Sequence, residues 1–458
     1  MKNIKALIPV IILLVTALGF YTMIDTNAQK KKEYDETLKT AREYAAQGIV
    51  DDAVKYYEAA LSMNMDVDTY IEYVNVYVDN GYEKKALRVA EEMIDKVDKS
   101  AKAYECLLDQ YINVESYIDC FKLDDEAKSR NLRSEGFANK MSEIEYFYER
   151  DYQQYSSVKT FSNGYAAVQS SDLFGVIDET GENVLRKEYK QAGSFSYFTS
   201  DNKDDSGFVV PVQNKEDVWM YISVKGNKKI DTPEKIKFDY LGLYVDNGLT
   251  AASVKGKYAY YNTKFEKQFG DYAYATTFNC GRAFVMESEN EWYLINEEGK
   301  KLNSQPYTAV VLDEKEIAFR NDRAFVAIDG SYRMIDIDGK IVGDGKFVNA
   351  YPFLGTDQKD KSEKTTTQNL AAVNVDGKWG FINKNGEIVI EPKFESAHSF
   401  SNSFAAVQMG SKWGFINEDG KVVINCDFED VKDFNTKGCV FVMNNSRWSL
   451  IKLYRYNH

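Results

Sequence analysis

Residues 370–400 read LAAVNVDGKWGFINKNGEIVIEPKFESAHSF, and residues 404–434 read FAAVQMGSKWGFINEDGKVVINCDFEDVKDF. The second is the first rewritten. Trp379 and Trp413 are 34 residues apart, and so are Phe394 and Phe428. Each copy divides into short apolar runs. The first is of the type Phe404 to Val407, and the second is an aromatic-Gly-aromatic-Ile run such as Trp413 to Ile416. A turn ending in Gly follows, as in Asn417 to Gly420, where glycine meets the positive-φ demand of a tight hairpin. The third run is of the VVI type. A fourth element carries apolar residues at i, i+3 and i+6: Phe394, Ala397, Phe400 in one copy and Phe428, Val431, Phe434 in the other.

Working outward, weaker copies occupy the whole of residues 151–458. Their core aromatic positions are Phe174, Trp219, Tyr258, Trp292, Tyr332, Trp379, Trp413 and Trp448, which makes eight units. The widest gap contains a polar stretch, Gly355 to Asn369, that reads as a surface loop; Ser200 to Gly207 is a shorter one. The strands are almost continuously apolar, so both faces of each sheet are expected to be covered. Units of four short strands at this spacing predict a β-propeller of seven to eight blades; an open β-solenoid is the alternative. The ends favour closure. The last unit stops after its Trp448 strand without an i, i+3, i+6 element, and an extra one, Tyr155, Val158 and Phe161, stands at the start of the array.

GKWGFINKNGEIVIEPKF and SKWGFINEDGKVVINCDF resemble the bacterial WG (KWG) repeat, with Trp379-Gly380 and Trp413-Gly414 as the eponymous pairs. Segments Asp172 to Val184 and Glu291 to Leu302 resemble it more distantly, and Tyr258, Tyr332 and Trp448 lack the following Gly. The resemblance implies a β-rich repeat module, often on envelope-anchored proteins and sometimes beside tetratricopeptide repeats. It implies no defined activity and brings no catalytic residues.

Residues 30–150 have helical periodicity and an internal repeat offset by 33 residues, in which Gly48 recurs as Gly81 and Ala53 as Ala86. Small Ala lets two helices approach, and Gly supplies the turn between them. Tyr44, Gly48, Ala53, Tyr57 and Ala60 follow the order of the tetratricopeptide pattern, which this stretch resembles. A third unit starts near Ala103, and Lys122 to Tyr148 is expected to supply a capping helix. So short an array makes little concave surface and reads as a spacer more than as a peptide groove.

Ala6 to Ile24 is a run without a charge, preceded by Lys2 and Lys5. Its length suits a transmembrane signal anchor within residues 1–29, with a cleaved signal peptide as the alternative. Lys30, Lys31 and Lys32 oppose Lys2 and Lys5, but the short basic N-terminus is expected to stay inside and the bulk of the chain to lie outside a bacterial cell membrane.

Composition narrows the function. The net charge is −14, which disfavours nucleic acid. Five cysteines without a CxxC offer neither a disulfide framework nor a zinc site. His398 and His458 are the only histidines, so triads and multi-His metal sites are disfavoured. His398 is expected to face solvent, and Cys426 and Cys439 to be small buried hydrophobes. Asp336-Ile337-Asp338-Gly339 begins like a calcium loop, but the twelfth position is Phe347 rather than a bidentate Glu, so it reads as a hairpin turn. The tryptophans recur identically in unit after unit and read as packing residues rather than a ligand-stacking ring. No catalytic, cofactor-binding or metal-ligating residue is assigned. The expectation is a non-enzymatic, membrane-anchored envelope scaffold that binds a protein, peptide or glycan and needs no cofactor. The alternatives are a glycan-active enzyme using carboxylates alone, or a purely structural spacer.

Overall fold

The computed structural model describes residues 28–97, 99–199, 206–224, 228–244, 247–354 and 369–455. Ala6 to Ile24 and nearly all of the Gly355 to Asn369 loop lie outside these. Among the described residues no helix is long and apolar enough to cross a membrane. The chain divides into a helical unit, up to Phe147 together with the C-terminal residues from Tyr454, and a β unit, Tyr148–Leu453.

The helical unit begins with α1 (28–46), followed by α2 (Val50–Met63), α3 (Val67–Asp79), α4 (Glu83–Lys96), α5 (Ala101–Asn113), α6 (Tyr117–Arg130) and α7 (Glu135–Glu143). Side chains of Asp66, Ser100 and Ser134 accept backbone N–H bonds and start α3, α5 and α7. Ala53, Ala60, Ala86 and Ala90 are fully buried, which lets the helices approach closely. Tyr57 stacks on Tyr73 and Tyr44 on Tyr56. Gly48 and Gly81 turn the chain between α1 and α2 and between α3 and α4, at φ +71° and +76°. Between α5 and α6 the same turn is made by Glu115 at φ +57°, a conformation in which a side chain is strained. Two expectations are corrected here. Lys122 lies within α6, the second helix of a third hairpin, so α7 alone is the cap; and Tyr146 to Tyr148 are strand, not helix.

The β unit is an eight-bladed propeller: eight antiparallel sheets, each formed by consecutive strands, with one exception that closes the ring. In blade one the strands run Ser157–Val158, Tyr165–Ser170, Leu173–Asp178 and Asn183–Tyr189, in that order across the sheet. In blade eight the first three are Asp430–Val431, Cys439–Asn444 and Arg447–Arg455. The fourth comes from the other end of the array, Tyr146–Arg150. Trp448 exchanges backbone hydrogen bonds with Tyr155, as Trp292 does with Tyr307 inside the array. Phe161 stacks on Phe441 of blade eight at 5.1 Å, as Phe319 stacks on Phe284 and Phe353 on Phe325 at interior junctions. The junction of blades eight and one is therefore built like the others. That rules out an open solenoid, and closure leaves no terminal sheet exposed.

The WG glycine has a steric explanation. In blades one, six and seven the fourth strand bulges against the third, as in the step from Trp379↔Phe394 to Phe381↔Ile390. The bulge brings backbone onto the residue after the aromatic. A Cβ on Gly380 would lie 2.6 Å from the Ile390 oxygen, one on Gly414 2.5 Å from that of Ile424, and one on Gly175 2.7 Å from that of Leu185. Blade three solves the same contact in reverse: Ala259 replaces the glycine, and the residue opposite is Gly270. Blades four and five carry Tyr293 and Arg333 there, and their fourth strand shrinks to isolated bridges.

Candidate binding site at the propeller axis

The fourth sequence element wraps from one blade into the first strand of the next. Its apolar residues step by three and three in most units, as in Tyr272, Ala275 and Phe278. In blade five Val310 follows Tyr307 by three, but Phe319 follows Val310 by nine. Six extra residues lie in between, within VLDEKEIA (311–318). Asp313 organises this insertion by accepting from the backbone N–H groups of Lys315 and Ile317 at 2.8 and 2.9 Å. Its other oxygen takes the Arg320 guanidinium at 2.8 Å, and both side chains are buried.

The two glutamates of the insertion reach other blades. Glu314 accepts from the backbone N–H and hydroxyl of Thr160 in blade one, at 3.1 and 2.8 Å. It also pairs with Lys432 in blade eight. Blade one stands opposite blade five in a ring of eight, so Glu314 crosses the axis. Glu316 accepts from the hydroxyls of Tyr240 in blade three and Tyr274 in blade four, at 2.7 and 2.6 Å. Thr277 fixes the main chain: its N–H donates to the Glu316 main-chain oxygen and its hydroxyl to that of Lys315. Burial would raise the Glu314 carboxyl, but the Lys432 ammonium and the Thr160 donors outweigh it and hold it below the ordinary value. Burial, and then the neighbouring Glu316, push the Tyr240 and Tyr274 hydroxyls upward, so both stay protonated donors.

Beside this lies a second polar group. His398 Nδ1 sits 2.8 Å from Asp433 Oδ1, its ring stacked on Tyr351 at 4.5 Å and tilted against Trp413 at 5.0 Å. The Tyr351 hydroxyl donates to the other Asp433 oxygen at 3.3 Å. The expectation that His398 faces solvent is therefore corrected. It directly follows the first strand of blade seven, Ser396–Ala397, and its half-buried ring lies between the tyrosine of blade six and the carboxylate of blade eight.

The other residues singled out in the sequence are elsewhere. Trp379 and Trp413 pair across their own sheets with Phe394 and Phe428, and both are part-buried, as is Trp292. Trp219 and Trp448 are buried, Trp219 edge-on to Tyr240 of the next blade. Asp336 turns its carboxylate on its own hairpin, accepting from the N–H groups of Asp338 and Lys340; Asn417 does the same in blade seven. Among the described residues no group of three or more His, Cys, Asp or Glu could hold a metal ion. Cys439 is buried, its thiol pushed up to about 12 by that burial, and Cys426 is half-buried in a strand. Sequence reading missed the axial insertion. The available signal was the lengthened step before Phe319.

Compared with known proteins, the chain matches the family described as WG containing repeat over residues 174–197, 379–413 and 413–448. These matches start at the core aromatics of blades one, six and seven and run into the blade that follows each. No curated protein matches it. Among solved structures it resembles BamB from Moraxella catarrhalis, at 8% identity and TM-score 0.40, covering 67% of this chain and 98% of that one. It also resembles the WD40 domain of SCAP from fission yeast, at 10% identity and TM-score 0.37, covering 69% and 99%. Hsv2p from Kluyveromyces lactis aligns at 12% identity and TM-score 0.35, covering 59% and 96%.

Proposed function

We propose that this chain is a non-catalytic binding or scaffold protein of the cell envelope. In this reading Ala6 to Ile24 tethers it to the membrane, the helical unit acts as a tetratricopeptide-like spacer, and the propeller presents the ligand-binding surface to a protein, peptide or glycan outside the cytoplasm. One observation carries the non-catalytic part. The carboxylates gathered at the axis, Asp313, Glu314, Glu316 and Asp433, are each held by donors from their own or other blades. A glycosidase acid and base need one carboxyl free to give a proton and another free to receive one. Carboxylates engaged in this way support recognition and rigidity rather than proton transfer. The closed ring adds to this, because a rigid platform lowers the entropic cost of binding.

The test uses the full chain purified in mild detergent. It is offered envelope fractions and polymeric cell-wall glycans, and both retention and hydrolysis are measured. Saturable retention with no glycan cleavage is expected. Cleavage that disappears in Asp433→Asn or Glu314→Gln would establish the carboxylate enzyme instead. A reporter active only outside the cytoplasm, fused after His458, is expected to be active; an inactive reporter would reverse the topology.

A further inference from the structure

We propose that the axial end of the propeller is a peptide-binding site now filled by its own residues 313–317, and that it takes an acidic Glu-x-Glu segment of a partner protein in their place. The inference rests on the reading of the propeller as a binding module and names what that module binds. Three observations carry it. First, the occupant departs from the three-and-three step of the first-strand connections in blades one, four, seven and eight, and is six residues longer than they are. Second, the occupant is recognised as a ligand is recognised. Carboxylates two residues apart enter two separate donor sets, Thr160 with Lys432 and Tyr240 with Tyr274. The main chain between them is read by Thr277. Third, those donors sit on blades one, three, four and eight, so the cradle is a property of the ring and remains when the insertion leaves it. A filler serving only to exclude water could be apolar, whereas charge-assisted hydrogen bonds are stronger and specific for the anion.

A tethered segment presents itself at an effective concentration on the order of millimolar, so in the intact chain it masks the site against a free peptide. The experiment measures fluorescence anisotropy of a labelled VLDEKEIA peptide with the full chain in detergent. Two unmasked variants are used: Glu314→Gln with Glu316→Gln, which keeps the loop, and deletion of residues 312–317, which restores the three-and-three step. Both are expected to bind the peptide at least about tenfold tighter than the intact chain, a difference of about 1.4 kcal/mol. The peptide VLDQKQIA is expected to bind at least tenfold more weakly, and Lys432→Met in the unmasked background to weaken VLDEKEIA similarly. If the deletion does not fold, the double Gln variant alone decides. Unmasked variants that melt cooperatively, yet ignore VLDEKEIA or bind both peptides alike, would overturn the proposal. If the intact chain still retained envelope components, only this inference would fall. If it retained none, the binding reading would fall separately.

Discussion

At the residue scale, two positions show how backbone conformation selects side chains in this chain. The glycine of each WG pair is required by a neighbouring strand and not by its own φ: the bulged fourth strand leaves no room for a Cβ. Gly414→Ala is expected to lower stability by about 1–3 kcal/mol, the cost of an overpacked core, in chemical denaturation of the full chain. Ala at position 259 is already accommodated because Gly270 opposes it, so Gly270→Ala, which also places a side chain at φ +139°, should cost more than Gly414→Ala. Glu115 is the opposite case. It occupies a left-handed turn that Gly48 and Gly81 fill in the two preceding hairpins. Glu115→Gly should stabilise the helical unit by roughly 1 kcal/mol, read as a rise in its unfolding midpoint. A loss of stability would show that the Glu115 side chain contributes more than its strain costs.

At the scale of elements, the connection between blades is the unit of construction. The last apolar residue of each i, i+3, i+6 element is a knob inserted against the preceding blade, and Phe161, Phe319 and Phe353 stack there almost parallel. Polar groups follow the same rule: Ser162 donates to the Phe195 oxygen of blade two, Asn279 to that of Phe319 in blade five, and Ser401 to that of Phe434 in blade eight. Phe161→Ala and Phe319→Ala should therefore cost alike, about 3–5 kcal/mol each, by denaturant titration. A much smaller cost for Phe161 would mean that the junction of blades eight and one is looser than the interior ones. These elements were legible beforehand because continuously apolar strand runs, glycine turns and the three-residue step depend on near neighbours. The fourth strand of blade eight was not. Tyr146–Arg150 precedes the array by sequence, and only its pairing with Arg447–Arg455 shows where it belongs.

At the scale of the whole molecule, the axis couples the blades, and the coupling depends on charge. Because the Glu314 carboxyl is held below its ordinary value in the fold, it contributes stability above the unfolded value near 4.5. That contribution is lost as pH falls through the lower folded value. Stability measured against pH should accordingly fall less steeply below about 4.5 in Glu314→Gln than in the intact chain; parallel curves would remove Glu314 from the account. By itself, the amino-acid sequence determined that one motif is written eight times, that its turns need glycine and that only two histidines are present, which disfavours a triad or a multi-His metal site. Each of these is settled by composition or by residues a few places apart. Ring closure, the enclosure of His398 and the filling of the axis by Glu314 and Glu316 were decided only by the tertiary structure. Glu314 meets partners 118 and 154 residues away. Contacts of that range exist only once the blades have closed, and no local pattern encodes which side chains then face each other.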